Sequence, residues 1–461
     1  MQQHSAQFLD NADTAISDSQ AAQKRDLLAI FAPLMRDAAV DGFSAYEATR
    51  QHVKRVRRHS LDNLAHYLAQ FEQQAVGNGN RVHFARNADE MNSIALDICQ
   101  QHGAQHVAKG KSMVTEETGL NDFLQRAGLH VVETDLGEYI IQQAGETPSH
   151  IVGPALHKSG DDIRALFLER HQLGERQLDD TTALVDEARN VLRPQFLQAD
   201  VGIIGANALI AENGYSMLVT NEGNGDLCAN LPRVLIVCTT IDRVLPRAED
   251  ATAMLRLLVR SATGQAQTCY TSFYSGPRRA QDTDGPLETH FVLLDNQRSD
   301  ILDSGFREML DCIRCGACLN HCPIYTSVGL RLGLPGAHGL RFDTAADFAG
   351  AEQRTTECLH RLWALRRGVP RGYSPARPVA RSARHGKPRA PERAALAAGY
   401  QPAELAGGQA APVSRTHRRG YLPAAPHRTQ ARQLPPPAAG WRLDQPAGFS
   451  RARRQDIHAA V

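Results

Sequence analysis

The stretch CIRCGACLNHCP, residues 312 to 323, holds four of the chain's nine cysteines at the spacing C-x2-C-x2-C-x3-C-P. Thiolates two residues apart on a tight loop suit an inorganic iron-sulfur cube, and bacterial ferredoxins ligate 4Fe-4S clusters with this run. Gly316 and Ala317 leave room for backbone amides to approach the cluster sulfides, which helps to set a reduction potential. A structural zinc site prefers two separated ligand pairs and has no use for three cysteines at successive x2 spacings. The spacing therefore assigns Cys312, Cys315, Cys318 and Cys322 as iron ligands. In two-cluster ferredoxins, however, the fourth cysteine of such a run serves the other cluster, so a complete pair of sites needs a second run. The remaining cysteines, Cys99, Cys228, Cys238, Cys269 and Cys358, stand singly. Cys238, in the apolar strand RVLIVC, reads as a core thiol.

Two other stretches could carry chemistry. KGKSMVTEETGL, residues 109 to 120, places Lys109, Lys111, Ser112 and Thr115 at a strand-to-helix junction, where helix N-termini favour anions. The same residues read equally as a capped helix with solvated lysines. GANALIAENGYSMLVTNEGNG, residues 205 to 225, carries Asn207, Glu212, Asn221 and Glu222 around glycine-rich turns. Loops at the strand ends of an α/β sheet are where ligands bind, although a hairpin with Asn-Gly and Gly-Asn turns explains these residues too. There is no G-x-G-x-x-G or Walker fingerprint, so no phosphate loop is expected.

The elements that must position these residues follow from hydropathy patterning. Residues 1–75 read as helices, with apolar residues recurring at three and four in DLLAIFAPLMRDAA and LDNLAHYLAQFEQQA. From there RVHFA, QHVAKG, LHVVET, VGIIGANALIA, SMLVTNEGN, RVLIVCTTI and HFVLLD alternate with helical stretches such as NADEMNSIALDICQQHG and TEETGLNDFLQRAG. That rhythm predicts an α/β domain over 76–300, built on a parallel sheet. One helix, RSDILDSGFREMLDCI, is expected to lead into a cluster segment spanning 301–330.

Beyond residue 330 the composition changes. Residues 331–461 hold 21 Arg and one Lys against 8 Asp and Glu, a net of +14, so with +1 overall the first 330 residues carry −13. The same stretch holds 14 of the 23 prolines and a single Ile, Ile457. Such a composition cannot bury enough surface to offset the entropy of ordering, so a disordered tail is expected. No run of 18 apolar residues suits a membrane span and the start lacks a signal-peptide pattern, which makes the cytoplasm the expected compartment. The odd cysteine count fits reduced thiols and metal ligation.

Taken together, KSMVTEETGLNDFLQRAGLHVVETDLGEYIIQQAGETPSHIVGPALHK, GANALIAENGYSMLVTNEGNGDL and CIRCGACLNHCPIY closely resemble the iron-sulfur subunit of bacterial lactate-utilisation systems, the LutB type, over about residues 20 to 328. The resemblance implies a three-protein system that oxidises L-lactate to pyruvate without nicotinamide, in which this subunit relays electrons through two ferredoxin-type 4Fe-4S clusters. It implies a lactate-utilisation domain of the sugar-isomerase and CoA-transferase-like group. The partners it implies are the other lactate-utilisation subunits and an electron acceptor, the quinone pool being one candidate reached from the inner face of the membrane. Nucleic acid is not expected. Two rival readings are a standalone enzyme using Glu212 or the Lys109 region, and a cluster-bearing regulator with its basic tail on nucleic acid.

Family members carry a second run, C-x2-C-x3-C-P, where this chain reads HRLWALRRGVPRG. By family logic Cys312, Cys315 and Cys318 serve one cluster and Cys322 the other, so this chain has ligands for at most one, incomplete cluster, unless Cys358 substitutes. Codons for Gly329 to Gly339, read one nucleotide later, can spell GYGWVYPGPMG. Those for Leu362 to Gly372 can spell C-G-x-C-x-x-x-C-P. Two segments recovering the family pattern in one shifted frame point to a frameshift near residue 328; the alternative is a genuine basic extension.

Overall fold

The computed structural model describes residues 16 to 320 except Thr147, together with Asp13 and Tyr325, the side chains of Gln20 and Ala21 apart. Cys322, Cys358 and the whole 331–461 stretch lie outside the described residues.

Ahead of the α/β part lie the helices α1 (Ser19–Asp41), α2 (Tyr46–Asp62) and α3 (Leu64–Gly77). The α/β part then runs β1 (Arg81–Ala85), α4 (Ala88–Gln101), β2 (His106–Lys109), α5 (Met113–Thr118), α6 (Leu120–Arg126), β3 (His130–Glu133), α7 (Leu136–Ala144), α8 (Gly160–Arg170), α9 (Thr181–Gln198) and β4 (Val201–Gly205). It continues through β5 (Ala208–Ile210), β6 (Tyr215–Thr220), α10 (Asn224–Asn230), β7 (Val234–Thr240), β8 (Val244–Leu245), α11 (Ala248–Thr263), β9 (Tyr270–Tyr274) and β10 (Glu288–Leu294). The short helices α12 (Arg298–Asp303) and α13 (Ala317–Asn320) flank a 3-10 turn at Arg307–Asp311.

Six strands form one parallel sheet in the order β1-β10-β7-β4-β2-β3. The fold is therefore the expected α/β class. Every residue of β4 and β7 is buried, because helices cover both faces of a parallel sheet. One face packs Phe71, Phe167, Ile204, Val237 and Phe291; the other packs Met91, Leu120, Ile203, Ile236 and Val292. Gly202 shows how closely α10 seats on β4: a Cβ there would fall 1.8 Å from the Cys228 carbonyl oxygen.

Three expectations need correction. ALI and SMLVT do not join the parallel sheet. They form β5 and β6 of a second sheet, ordered β8-β5-β6-β9, in which β6 runs antiparallel to both β5 and β9. The four-residue link 211–214 dictates this, since a parallel crossover needs a dozen residues or more. TEETGLNDFLQRAG is two helices, α5 and α6, because Gly119 at φ 65° breaks the ladder. RSDILDSGFREMLDCI is likewise interrupted. Ser304 donates its hydroxyl to the Ile301 carbonyl at 2.8 Å and accepts from the Phe306 amide at 3.0 Å, so it competes with the helix for its own backbone.

Candidate functional site

The cysteine loop is positioned from below and from the side. Arg58 of α2 donates to Asp311 at 3.0 Å and to Glu308 at 2.8 Å, and Arg57 donates to the Leu310 carbonyl. These contacts fix the turn that feeds the loop. The chain then reverses through Arg314 (φ 59°) and Gly316 (φ 74°) before α13. Gly316 is there for space as well as for its backbone: a Cβ would fall 2.9 Å from the Ile151 side chain.

Within the loop the Arg314 amide donates to Cys312 Sγ at 3.3 Å. Burial raises the Cys315 thiol's pKa, and the neighbouring Cys312 and Cys318 sulfurs push it the same way. An amide-to-sulfur bond and thiols spaced two residues apart on a tight turn are what cluster ligation asks of a protein. The donor set of Cys312, Cys315 and Cys318 thus fits an iron-sulfur cluster.

Beneath the loop lies a buried charge cluster at the carboxyl ends of the central strands. Asp242, just after β7, binds Arg243 at 2.7 Å, Arg57 at 3.2 Å and Arg298 at 3.4 Å. Burial opposes the Asp242 charge, but Arg243, Arg314, Arg57 and Arg298 outweigh it and hold the carboxyl far below its usual range. Arg298 also binds Glu117 at 2.8 Å. The cluster reaches the cysteines directly: Arg243 Nη1 donates to the Cys312 carbonyl at 3.1 Å, and Arg314 Nη2 to Thr240 Oγ1 at 3.3 Å. Four guanidiniums outnumber the Asp242 and Glu117 carboxylates, which suits the negative charge of thiolate-ligated iron.

The loop 149–153 joins the cysteine segment to a second polar group. His150 Nε2 meets Asn320 Oδ1 at 3.2 Å, and Tyr325 donates to the Ser149 carbonyl at 3.1 Å. On the same loop the Val152 carbonyl accepts from Lys111 Nζ at 3.1 Å. Lys111 lies 3.5 Å from Glu138 and 4.0 Å from Asp135. Burial and a hydrogen bond given to Asp135 raise the Glu138 pKa, and the same bond holds the Asp135 carboxyl below its usual range. Glu222 is raised by burial and by Asp135, and belongs to this group.

The other sequence-predicted residues have structural tasks. Lys109 is fully buried between Glu116, at 2.8 Å, and Glu133. Ser112 caps α5, and Thr115 Oγ1 donates to the Ser112 carbonyl at 2.8 Å. Asn207 Oδ1 accepts from the Val219 amide at 2.8 Å. Glu212 accepts from the Ala248 amide at 2.6 Å, at the start of α11. Asn221 bonds Gln265 at 3.0 Å and the Cys269 amide at 3.3 Å. The arginine cluster went unread in the sequence. Its one signal is the charged pair Asp242-Arg243 two residues after the largely apolar strand β7, where burial is expected and ions are costly.

The LUD domain family matches residues 68–294. Lactate utilization protein B of Bacillus velezensis is 45% identical over 292 residues, covering 63% of this chain and 61% of the relative. The protein of the same name from Bacillus subtilis is 43% identical over 292 residues, 63% of this chain and 60% of that one. An Escherichia coli protein described as the uncharacterized electron transport protein YkgF is 42% identical over 294 residues, 64% of this chain and 62% of that one. The chain thus matches about three fifths of the length of these relatives.

Proposed function

We propose, for a chain whose residues 68–294 belong to the LUD domain family and which is of the lactate utilization protein B type, that it is an iron-sulfur electron carrier. Its place is in a system that oxidises L-lactate to pyruvate without nicotinamide. The observation that carries the reading is the cysteine loop seated over the end of β7, with Arg314 donating its amide to Cys312 Sγ and Arg243 donating to the Cys312 carbonyl. The relatives' names, lactate utilization and electron transport, agree with it.

When bound, a 4Fe-4S cluster supplies reversible one-electron transfer. The residues of this chain do the rest. Cys312, Cys315 and Cys318 hold iron, with Cys322 as the fourth cysteine of the run. The arginine cluster would compensate the charge that reduction adds, and the contacts from Ile151, Val152 and His150 pack the loop against the domain. The partners in this reading are the other lactate-utilisation subunits and a downstream electron acceptor. Among the described residues no helix is long and apolar enough to cross a membrane.

Anaerobic reconstitution followed by iron and acid-labile sulfide analysis tests the proposal. The expected outcome is about four irons per chain, bleached by dithionite and lost in Cys315→Ser. Full iron loading in that variant, or none in the wild type, overturns it; about eight irons per chain would mean that the tail completes a second cluster.

A further inference from the structure

At the opposite edge of the parallel sheet, where the strands begin, His102, Glu288 and His290 bring one ligand atom each to within 4.8 Å of one another. Among the described residues, this is the group of His, Cys, Asp and Glu that meets so closely. His102 caps the C-terminus of α4, while Glu288 and His290 share one face of β10 at a spacing of two. Glu288 Oε2 stands 3.6 Å from His102 Nε2 and 3.6 Å from His290 Nε2. A tetrahedral zinc ion with bonds of about 2.0–2.1 Å separates its ligand atoms by about 3.3–3.4 Å, so these distances need only a slight inward movement.

The His290 side chain is 1% exposed, and its Nε2 is buried without a hydrogen-bond partner. Its Nδ1 is accounted for: it lies 3.1 Å from His83 Nε2, with the two rings stacked. A proton on Nδ1, donated to His83, leaves the Nε2 lone pair aimed at Glu288 and His102. That is how a second imidazole or carboxylate orients a metal-bound histidine. The cation now beside Glu288 Oε2 is Arg81, at 2.8 Å and largely exposed, able to swing into solvent.

We propose that His102, Glu288 and His290 form a zinc-class divalent metal site, with three protein ligands and a fourth position open toward solvent on the His102 side. Its ligands are nitrogen and oxygen, unlike those of the cysteine loop, and it lies at the other end of the strands. It ties α4 to β10 and β1, an edge of the sheet that the iron-sulfur reading does not use.

Titration of the full chain with Zn2+ against a chromophoric chelator, with zinc-edge X-ray absorption on the bound ion, tests the site. The expected result is one ion per chain with nitrogen and oxygen neighbours, weakened at least tenfold in His102→Ala and in His290→Ala and retained in Cys315→Ser. Arg81→Met removes the competing cation and should tighten binding, an outcome that loss of folding cannot imitate. Sulfur neighbours around all the bound zinc, affinity unchanged in both histidine variants, or weaker binding in Arg81→Met would each overturn the proposal.

Discussion

Arg243 links Asp242 to Cys312: one end of its guanidinium binds the buried carboxylate at 2.7 Å and the other donates to the cysteine carbonyl at 3.1 Å. The arginine is itself buried, as is Asp242, so the charge balance under the cysteine loop is shielded from water and is felt by whatever the loop holds.

A cluster reduced beside that group gains negative charge, and removing a cation should make reduction harder. Arg243→Gln is therefore expected to lower the midpoint potential and Asp242→Asn to raise it. A unit charge at close range with an effective dielectric of about 20 is worth about 2–4 kcal/mol, on the order of 100 mV for a one-electron couple. Redox titration followed by electron paramagnetic resonance reads both; shifts of the same sign in the two variants would contradict the electrostatic account.

Lys109 between Glu116 and Glu133 is a structural ion triad, so breaking it should cost stability without touching the cysteines. Lys109→Met leaves Glu133 buried and uncompensated, which typically costs about 3–5 kcal/mol. The double change Lys109→Met with Glu133→Leu should recover much of that. Urea unfolding of the three proteins measures it.

His150 gives the docking of the cysteine segment a pH dependence. Burial pushes its imidazole down to about 4, and Lys111 pushes the same way. Below the unfolded value of about 6.5 the unfolded chain takes up a proton that the folded site refuses, so stability falls with pH from there until about pH 4, where the folded site protonates too. The loss should be about 3 kcal/mol for this one group. His150→Gln, which can keep a bond to Asn320, should flatten that part of the pH profile in thermal unfolding.

Two glycines separate fold from site. Gly202→Ala drives a methyl into the Cys228 carbonyl at 1.8 Å and should destabilise the domain by about 3 kcal/mol or more. Gly316→Val combines φ 74° with a clash against Ile151. It should abolish iron loading while the melting temperature of the domain changes little, as iron analysis and calorimetry would register.

The gene itself tests the reading of the tail. Sequencing codons 320 to 375 should reveal a single-nucleotide shift that restores the second cysteine run. A clean reading without such a run would leave a genuine basic extension.

Much of the architecture was legible because it rests on local patterns. Seven apolar strand stretches and their intervening helices announce an α/β fold, since a strand buried on both faces is mostly apolar, as VLIVC in β7 is. The cysteine spacing was legible for the same reason: a run of cysteines two and three residues apart is read from adjacent positions in the chain. Strand pairing was not, because whether SMLVT joins the parallel sheet depends on the span of the preceding link and on β9 returning from fifty residues away in the chain. The functional weight of the charged residues was least legible of all. Lys109 and Glu212 look like site residues in the sequence, and folding assigns them to an ion triad and a helix end. Arg57, Asp242, Arg243 and Arg298 look ordinary and converge beneath the cysteines. The sequence by itself determined where a cysteine run of iron-sulfur spacing lies and which segments would be buried. The tertiary structure alone decided which charges meet, because ions separated by up to 241 positions, Arg57 and Arg298, act on one carboxylate only after the sheet has brought its strand ends together.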